Sequence, residues 1–273
     1  MDRLEFDGFE LTYEAHRAGE PVVLIHASPF VSWYRPLLER LTALSTLTYR
    51  RRPRTGDGGY RPLSVAEDAA VCARLMDHVG WPTAHVVGHS YGALVALQLA
   101  LDEPERVASA ALLEPAARGI SSSAAVAAAL QPVVAAYRAG DTVGAVDAFL
   151  RHVGGVGYRD PLERAVPGAF DEAVAEADVF FQAELPAVQG FTFGPDEARR
   201  VTQPLLDVLG ADTEPRFVEG SALVRSWFPA AEHLVVPDAG HLLMVQNPNA
   251  VAQGLLEFFA RHPISTVQHT PVP

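Results

Sequence analysis

The sequence predicts an α/β fold, namely a mostly parallel, doubly wound sheet with an inserted helical cap. Apolar strand-like runs alternate with helix-like stretches over residues 21–113. The alternation stops over residues 116–200, where alanine-rich, helix-periodic segments broken by glycine and proline contain no strand pattern. It resumes over residues 204–261. A helical segment is therefore expected to interrupt a βα alternation.

These boundaries divide the chain into a core, a cap and a tail. Residues 1–115 and 201–262 form the predicted core domain, and residues 116–200 form the predicted cap. Residues 263–273, rich in proline and polar side chains, predict a loose carboxy-terminal tail. A chain of 273 residues with 49% hydrophobic content can bury one large core, which favours a single domain with an insertion.

The individual elements follow from local patterns. An imperfect alternation over Leu4–Ala15, with a turn at Asp7-Gly8, predicts an amino-terminal hairpin. The continuous apolar run Pro21–His26 predicts a strand buried on both faces, as in a parallel sheet. Periodicity then predicts, in order, helix 32–44, strand 45–51, helix 63–79, strand 84–88, helix 93–101, strand 107–113, strand 204–210, helix 216–228, strand 232–236 and helix 248–261.

Composition excludes several classes of function. The net charge of −12 argues against nucleic acid and anionic membranes as partners, and favours a small neutral or weakly polar substrate. All 21 basic residues are arginine, so no side chain can form a lysine Schiff base or serve as a P-loop lysine. The single cysteine, Cys72, permits no disulfide framework and no cysteine zinc site, and its helical context predicts a core residue. We expect neither cofactor nor metal.

The amino terminus and the hydropathy pattern bear on location. Residues 1–6 lack a basic start followed by an apolar run, and no segment approaches 18 uninterrupted apolar residues. These features predict a cytoplasmic protein with no membrane partner.

Gly88-His89-Ser90-Tyr91-Gly92 is the most informative motif in the chain. It follows the apolar run Ala84–Val87 and precedes a helical stretch. A serine with glycine two residues before and after it, between a strand and a helix, is typical of a nucleophile elbow, where a tight turn exposes the hydroxyl. The motif predicts that Ser90 is a catalytic nucleophile.

A nucleophilic serine needs a base, and His241 is the best placed of the 10 histidines. It follows the predicted strand 232–236 in the loop Asp238-Ala239-Gly240-His241. A loop after a carboxy-terminal sheet strand is where such a base is expected.

With these motifs, and with His26-Ala27-Ser28-Pro29, the chain resembles the α/β-hydrolase fold superfamily over residues 1–262. The resemblance implies a triad in the order serine, acid, histidine. In many members the acid lies three residues after the glycine that ends the strand 204–210, a position held here by Thr213. Asp212 is one residue early and remains a candidate.

Glu114 is the other candidate acid, because it ends the strand beside the nucleophile strand, at the carboxyl edge of the sheet. Leu112-Leu113-Glu114-Pro115 resembles a subgroup of haloalkane dehalogenases and the lactonases that open zearalenone, which place a glutamate acid after this strand. The resemblance favours Glu114 over Asp212 and adds macrolactones to the candidate substrates.

Two backbone N–H groups should form an oxyanion hole. The resemblance assigns one to Tyr91, immediately after the nucleophile, and the other to the loop after strand 22–25. Pro29 has no N–H, so Ser28 is the expected donor, with Ala27 as the alternative. His26 is expected to brace this loop by hydrogen bonds.

Aromatic side chains and a basic run complete the candidate residues. An apolar pocket between cap and sheet is expected, with the proposed lining residues Trp33, Tyr158, Phe180, Phe181, Phe191 and Met244. For the basic run Arg50–Arg54 we expect structural pairing with nearby carboxylates rather than an anion site.

The expected function is cofactor-independent hydrolysis of a small apolar ester or lactone through an acyl-enzyme. Two alternatives remain open: carbon–carbon bond hydrolysis of a ketone by the same triad, and a non-hydrolytic ligand-binding or cyclase role. An exposed apolar face of the cap could support a homodimer.

Overall fold

The protein is built around one eight-stranded sheet. The computed structural model describes residues 1–6, 9–53, 55–57 and 59–264, and leaves the side chains of Phe6, Ser28 and Pro29 undescribed. The strands are β1 (Asp2–Phe6), β2 (Phe9–His16), β3 (Pro21–Ile25), β4 (Ser45–Pro53), β5 (Ala84–His89), β6 (Val107–Leu113), β7 (Leu205–Gly210) and β8 (Glu232–Val236). Their spatial order is β1-β2-β4-β3-β5-β6-β7-β8. β2 pairs antiparallel with β1 and β4, and all other pairs are parallel.

Helices connect and cover the strands. The α-helices are α1 (Arg35–Leu38), α2 (Val65–His78), α3 (Tyr91–Asp102), α4 (Ser123–Arg138), α5 (Thr142–Gly154), α6 (Arg159–Ala165), α7 (Ala169–Ala175), α8 (Ala177–Val179), α9 (Leu185–Gly190), α10 (Pro195–Ala198), α11 (Pro215–Trp227), α12 (Leu243–Gln246) and α13 (Pro248–Arg261). Two 3₁₀ helices (Ser28–Tyr34 and Pro104–Arg106) and a π-helical turn (Phe180–Glu184) complete the set.

The sheet is doubly wound. The crossover from β3 through α1 to β4 runs towards one edge, whereas those through α2 and α3 run towards the other. Because such crossovers are right-handed, α1 lies on one face, and α2 and α3 lie on the opposite face. The contacts agree, since α2 packs on α3 while α1 packs on α12 and α13. The predicted fold class is confirmed.

The amino-terminal hairpin is also confirmed, with Leu4 opposite Leu11 in an antiparallel pair. Its predicted turn at Asp7-Gly8 lies outside the described residues. Cys72 is buried in α2, as expected of a core residue.

The helix predicted over 32–44 is wrong. The chain forms the 3₁₀ helix Ser28–Tyr34 and then only one turn of α-helix, which ends at Leu38. Pro36 has no N–H to continue the α-helical ladder, and turns with three-residue spacing follow, such as Leu44 N–H to the Leu41 carbonyl at 2.9 Å. Leucines three residues apart fit these turns as well as they fit a helix, which is why periodicity did not separate the two.

Between β6 and β7 the described chain holds helices α4 to α10 with the π-helical turn, and no strand. We call residues 123–198 the inserted helices. They are tied to β4 by ion pairs: Arg50 with Glu172, and Arg52 with Glu176. The pairing expected for the basic run is thus confirmed for its described members, while Arg54 lies outside the described residues.

The segment after α13 contacts the loop that precedes β3. After α13, the backbone N–H of Ile264 donates to Glu20 Oε1 at 2.9 Å. Of the predicted tail, residues 265–273 lie outside the described residues. No helix in the described part of the chain is both long and apolar enough to cross a membrane.

Candidate active site

Ser90 occupies a strained turn between β5 and α3. Its φ of 53° and ψ of −112° are uncommon for a residue with a Cβ. Two backbone hydrogen bonds fix it: the Ser90 N–H donates to the Leu113 carbonyl at 2.9 Å, and the Ala116 N–H donates to the Ser90 carbonyl at 3.1 Å. A strained backbone conformation of this kind persists only where surrounding contacts hold it in place, and such residues are concentrated at functional sites.

The two glycines of the motif permit this turn. A Cβ on Gly88 would clash with the backbone of Gly92, and a Cβ on Gly92 would clash with the Ile25 carbonyl and the His26 nitrogen. The start of α3 therefore lies directly against the carboxyl end of β3. This close approach brings Ser90 beside the loop that follows β3.

His241 and Glu114 meet at the same edge of the sheet. His241 Nδ1 donates to Glu114 Oε2 at 2.8 Å, and both side chains are buried. The Phe217 ring stacks on the imidazole at 3.9 Å between centroids, with 10° between the planes. Since Nδ1 is engaged with the carboxylate, Nε2 is the nitrogen that can accept a proton.

Glu114 is held by three further features. It immediately follows β6 and has a positive φ of 44°. Its Oε1 accepts from the Gly210 N–H at 2.7 Å, and its Oε2 accepts from the Thr213 hydroxyl at 2.9 Å. The side chain of Asp212 is exposed, and its backbone N–H donates to the Ala239 carbonyl at 2.9 Å. The structure therefore brings Glu114, and not Asp212, to His241.

Burial sets the protonation of this pair. It raises the pKa of Glu114 to about 7, against the opposing hydrogen bonds from Gly210 and Thr213. It also lowers the pKa of His241 well below its usual value, and the nearby Arg216 guanidinium acts in the same direction. The imidazole is therefore neutral near pH 7, as a proton acceptor must be.

The candidate oxyanion donors flank Ser90. Tyr91 is the first residue of α3, so its N–H has no acceptor within the helix. Ser28 is the first residue of the 3₁₀ helix after β3. His26 is buried and its two ring nitrogens face the carbonyl oxygens of Ala27 in this loop and Tyr49 in β4, the latter at 3.2 Å, which confirms that it braces this loop. The oxyanion roles of Tyr91 and Ser28 remain predictions.

A cavity of about 190 Å³ opens beside Ser90 and His241. Among the expected lining residues, Trp33 and Phe180 border it, whereas Tyr158, Phe181, Phe191 and Met244 do not. Tyr158 donates its hydroxyl to Asp147 at 2.8 Å, Phe181 stacks on Tyr137, Phe191 stacks on Phe193, and Met244 is buried in α12.

Sequence reasoning missed several residues that border the cavity. They come from α11 and α5, and include Arg216, Phe217, His152 and Phe149. Arg216 and Phe217 follow the loop after β7, at the carboxyl edge where α/β sites form, and that position could have identified them. No group of three His, Cys, Asp or Glu side chains among the described residues is arranged to hold a metal ion.

Comparison with known proteins identifies the family of the chain. The family model of the alpha/beta hydrolases matches residues 22–254, and the chain belongs to that family. The matched range contains Ser90, Glu114 and His241.

The curated relatives match the chain in part. It is 36% identical over 112 residues to a protein of Azorhizobium caulinodans provisionally named carbamate hydrolase RutD, which covers 40% of this chain and 42% of the relative. It is 29% identical over 190 residues to the protein named uncharacterized carboxylesterase nap of Bacillus subtilis, which covers 68% of this chain and 59% of the relative. The chain thus spans less than two thirds of the length of either relative.

A solved structure is similar over almost the whole chain. The enol-lactonase from Burkholderia xenovorans LB400 matches with a TM-score of 0.78, over 95% of this chain and 100% of that chain, at 20% identity. At this identity the similarity establishes the shared fold.

Proposed function

We propose that the protein is a cofactor-independent serine hydrolase that cleaves a carboxylic ester or lactone through an acyl-enzyme. The hydrogen bond between Glu114 and His241, at the sheet edge that also carries the strained Ser90, is the observation that carries this proposal. Esterase and lactonase names among the family relatives and structural neighbours support the same reaction class.

In the first half of the reaction, Ser90 Oγ attacks the substrate carbonyl carbon. His241 Nε2 takes the hydroxyl proton, so the imidazole becomes an imidazolium. Glu114, which is hydrogen-bonded to Nδ1, stabilises that positive charge. The carbonyl oxygen becomes an oxyanion that the N–H groups of Tyr91 and Ser28 bind. The intermediate then expels the alcohol, which receives the proton from His241, and the acyl group remains on Ser90.

In the second half, a water molecule attacks the acyl-enzyme carbonyl. His241 accepts a proton from that water, the C–O bond to Ser90 breaks, and the serine oxygen recovers the proton. For a lactone, the alcohol and the acid released belong to one molecule. Neither half needs a metal or an organic cofactor.

We propose that the inserted helices act as a cap that sets substrate selection. They supply Phe149 and Phe180 to the cavity, while the core supplies Trp33 and Phe217. A cavity with mostly apolar walls favours a substrate with an apolar body.

The test is hydrolysis of a panel of aryl esters and macrocyclic lactones, zearalenone included, by wild type and three variants. Ser90→Ala should lower kcat/KM by about 10⁴-fold or more, since the nucleophile is lost. Glu114→Gln should lower it by about 10²- to 10⁴-fold, because the histidine loses its orienting carboxylate. Asp212→Asn, a matched carboxylate-to-amide change nearby, should stay within about 2-fold.

Each other outcome points elsewhere. Full activity in Ser90→Ala would mean that the reaction does not use Ser90. Loss in Asp212→Asn with retention in Glu114→Gln would return the acid to the loop after β7. Cleavage of a vinylogous diketone but of no ester would indicate carbon–carbon bond hydrolysis, and tight binding without turnover would indicate a receptor or cyclase.

A further inference from the structure

We propose that Arg216 binds a carboxylate group of the substrate, so that the preferred substrate is an ester or lactone of mostly apolar body with one free acid group. The inference rests on the hydrolase function proposed above and adds to it the chemical class of the substrate. It identifies Arg216 as a specificity-determining residue of the cavity.

The ionisable groups that border the cavity are the first observation. Arg118 and Arg216 line it together with His89, His152 and His241, and no Asp or Glu is among its described lining residues. This contrasts with the whole chain, in which 33 acidic residues give a net charge of −12. The cavity therefore differs in sign from the rest of the molecule and favours an anionic group.

The partners of Arg216 are the second observation. Its guanidinium donates to His152 Nε2 and to the His152 carbonyl. Within the described residues, no carboxylate lies within ion-pair distance of it, whereas Arg50 and Arg52 pair with glutamates. The half-buried guanidinium is thus hydrogen-bonded to neutral groups and has no carboxylate in direct contact, and three of its five N–H groups lie outside the bonds to His152.

The position of Arg216 relative to the reacting groups is the third observation. Its guanidinium carbon lies 4.7 Å from the centroid of the Phe217 ring, and that ring stacks on His241 at 3.9 Å. A carboxylate bound by Arg216 would thus lie about one aromatic ring away from the imidazole. One substrate molecule could reach both groups.

The protonation of the neighbours agrees with this reading. Burial, with Arg216 adding to it, lowers the pKa of His152 to about 4, so this imidazole is neutral and accepts a hydrogen bond from the guanidinium. Burial also lowers the pKa of Arg216, and the carboxylates of Glu214 and Glu114, which act in the opposite direction, offset this only in part. A bound carboxylate would compensate that charge.

The test compares matched substrates that differ only in this charge. The first pair is 4-nitrophenyl hydrogen suberate and its methyl ester, with the acid in the acyl part. The second pair is 3-carboxyphenyl butanoate and its methyl ester, with the acid in the leaving group. For each pair the readout is the ratio of kcat/KM for the anionic ester to that for the neutral ester, which cancels effects common to both.

Wild type should favour the anionic ester of at least one pair, and that pair identifies the side of the ester that Arg216 contacts. Arg216→Gln should lower the ratio by about 10- to 100-fold, the usual effect of losing hydrogen bonds to a charged group. Arg216→Lys keeps the charge without the planar fork and should lower it by about 3- to 10-fold. Arg225→Gln, on an exposed position of α11, is the matched control and should leave the ratio within about 2-fold.

An Arg216→Gln variant that slows both esters of each pair equally would overturn the proposal, because Arg216 would then act only through His241. An unchanged ratio in both pairs would overturn it as well. Covalent labelling of Ser90 by a fluorophosphonate would show that the site of each variant remains folded.

Binding of the intact esters to the Ser90→Ala variant separates this proposal from the hydrolase function. Calorimetry should show tighter binding of the anionic ester than of its methyl ester, and the difference should vanish in Ser90→Ala/Arg216→Gln. If wild type hydrolyses nothing but this difference is present, the hydrolase proposal fails and the carboxylate site stands. If hydrolysis proceeds without the difference, the carboxylate site fails.

Discussion

Thr213 stands where many family members carry the triad acid, and here it supports the proposed acid, Glu114, which follows a different strand. Its hydroxyl donates to Glu114 Oε2, the oxygen that also accepts from His241. The loop after β7 thus positions the proposed acid, Glu114, which immediately follows β6. Thr213 is therefore a positioning residue for Glu114.

Replacement of Thr213 by valine should shift the pH dependence of the reaction. The active form needs an ionised Glu114, whose pKa is raised by burial to about 7, and a neutral His241, so kcat/KM should fall below about pH 7. The Thr213 hydroxyl stabilises the ionised carboxylate. Its loss should raise the pKa of Glu114, move the acid limb of the profile to higher pH, and lower kcat/KM at pH 7 by about 10-fold.

The measurement is the pH profile of kcat/KM for wild type, Thr213→Val and Thr213→Ser. Serine keeps the hydroxyl, so Thr213→Ser should retain the wild-type limb. A limb that stays in place or moves to lower pH in Thr213→Val would contradict the positioning role.

The sequence predicted the candidate nucleophile and base more sharply than the candidate acid. Ser90 lies in a local motif whose glycines are required by contacts within a few residues, so the motif carries its own structural information. The acid depends on which of two distant loops turns its carboxylate towards His241. That direction is decided by tertiary hydrogen bonds, such as the one from Gly210 to Glu114, which no local pattern contains.

At the scale of elements, β4 connects the core, the loop after β3 and the inserted helices through Arg51. This arginine is fully buried. Its Nε lies 2.8 Å from Asp68 Oδ1 in α2, and its Nη2 lies 3.1 Å from Glu184 Oε1 in the π-helical turn. Its Nη1 donates to the His26 carbonyl at 3.1 Å. One side chain thus joins three elements around the site.

Arg51→Met should lower the free energy of unfolding by about 3–5 kcal/mol, because it removes the cation that contacts the buried carboxylates of both Asp68 and Glu184. Urea unfolding followed by circular dichroism measures this. The control is Arg199→Met. Arg199 pairs with Asp196, and their side chains are 70% and 83% exposed, so this ion pair should contribute about 0–1 kcal/mol. A loss below about 1 kcal/mol in Arg51→Met would mean that the ion pairs do not hold these elements together.

The secondary-structure predictions were most successful for strands that are buried on both faces of the sheet, because their apolar runs allow only one interpretation. The apolar runs of β3, β5 and β6 were recognised because parallel strands covered on both faces must be continuously apolar. The helix predicted over residues 32–44 was wrong because the spacing of the leucines suits both a helix and consecutive turns. Packing decides between the two. The cavity wall was predicted in part, since the inserted helices turn Phe180 towards the site and Phe181 towards Tyr137.

At the scale of the whole molecule, charge is distributed unevenly. The chain carries 33 acidic residues against 21 arginines, yet the cavity has arginine and histidine and no carboxylate among its described lining residues. An excess of like charge over the rest of the molecule opposes the compact state by mutual repulsion. The same excess at the cavity would repel an anionic substrate, which is why the local reversal matters.

This distribution predicts that salt stabilises the protein near neutral pH. At pH 7.5 the net charge is strongly negative, and raising NaCl from about 10 to 150 mM shortens the screening length to about 8 Å, which weakens repulsion between distant carboxylates. Surface ion pairs are weakened too, but each contributes little, so the thermal midpoint should rise by about 2–4 °C, the equivalent of roughly 1 kcal/mol for a domain of this size. At pH 5.2, near the isoelectric point of about 5.2, the net repulsion is gone and the same salt increase should change the midpoint by less than half as much. Differential scanning calorimetry at both pH values measures the change in the thermal midpoint with NaCl, and KCl of equal ionic strength serves as a second salt. An equal rise at both pH values would indicate a specific ion effect, and a fall at pH 7.5 would show that the arginine–carboxylate pairs outweigh the excess charge.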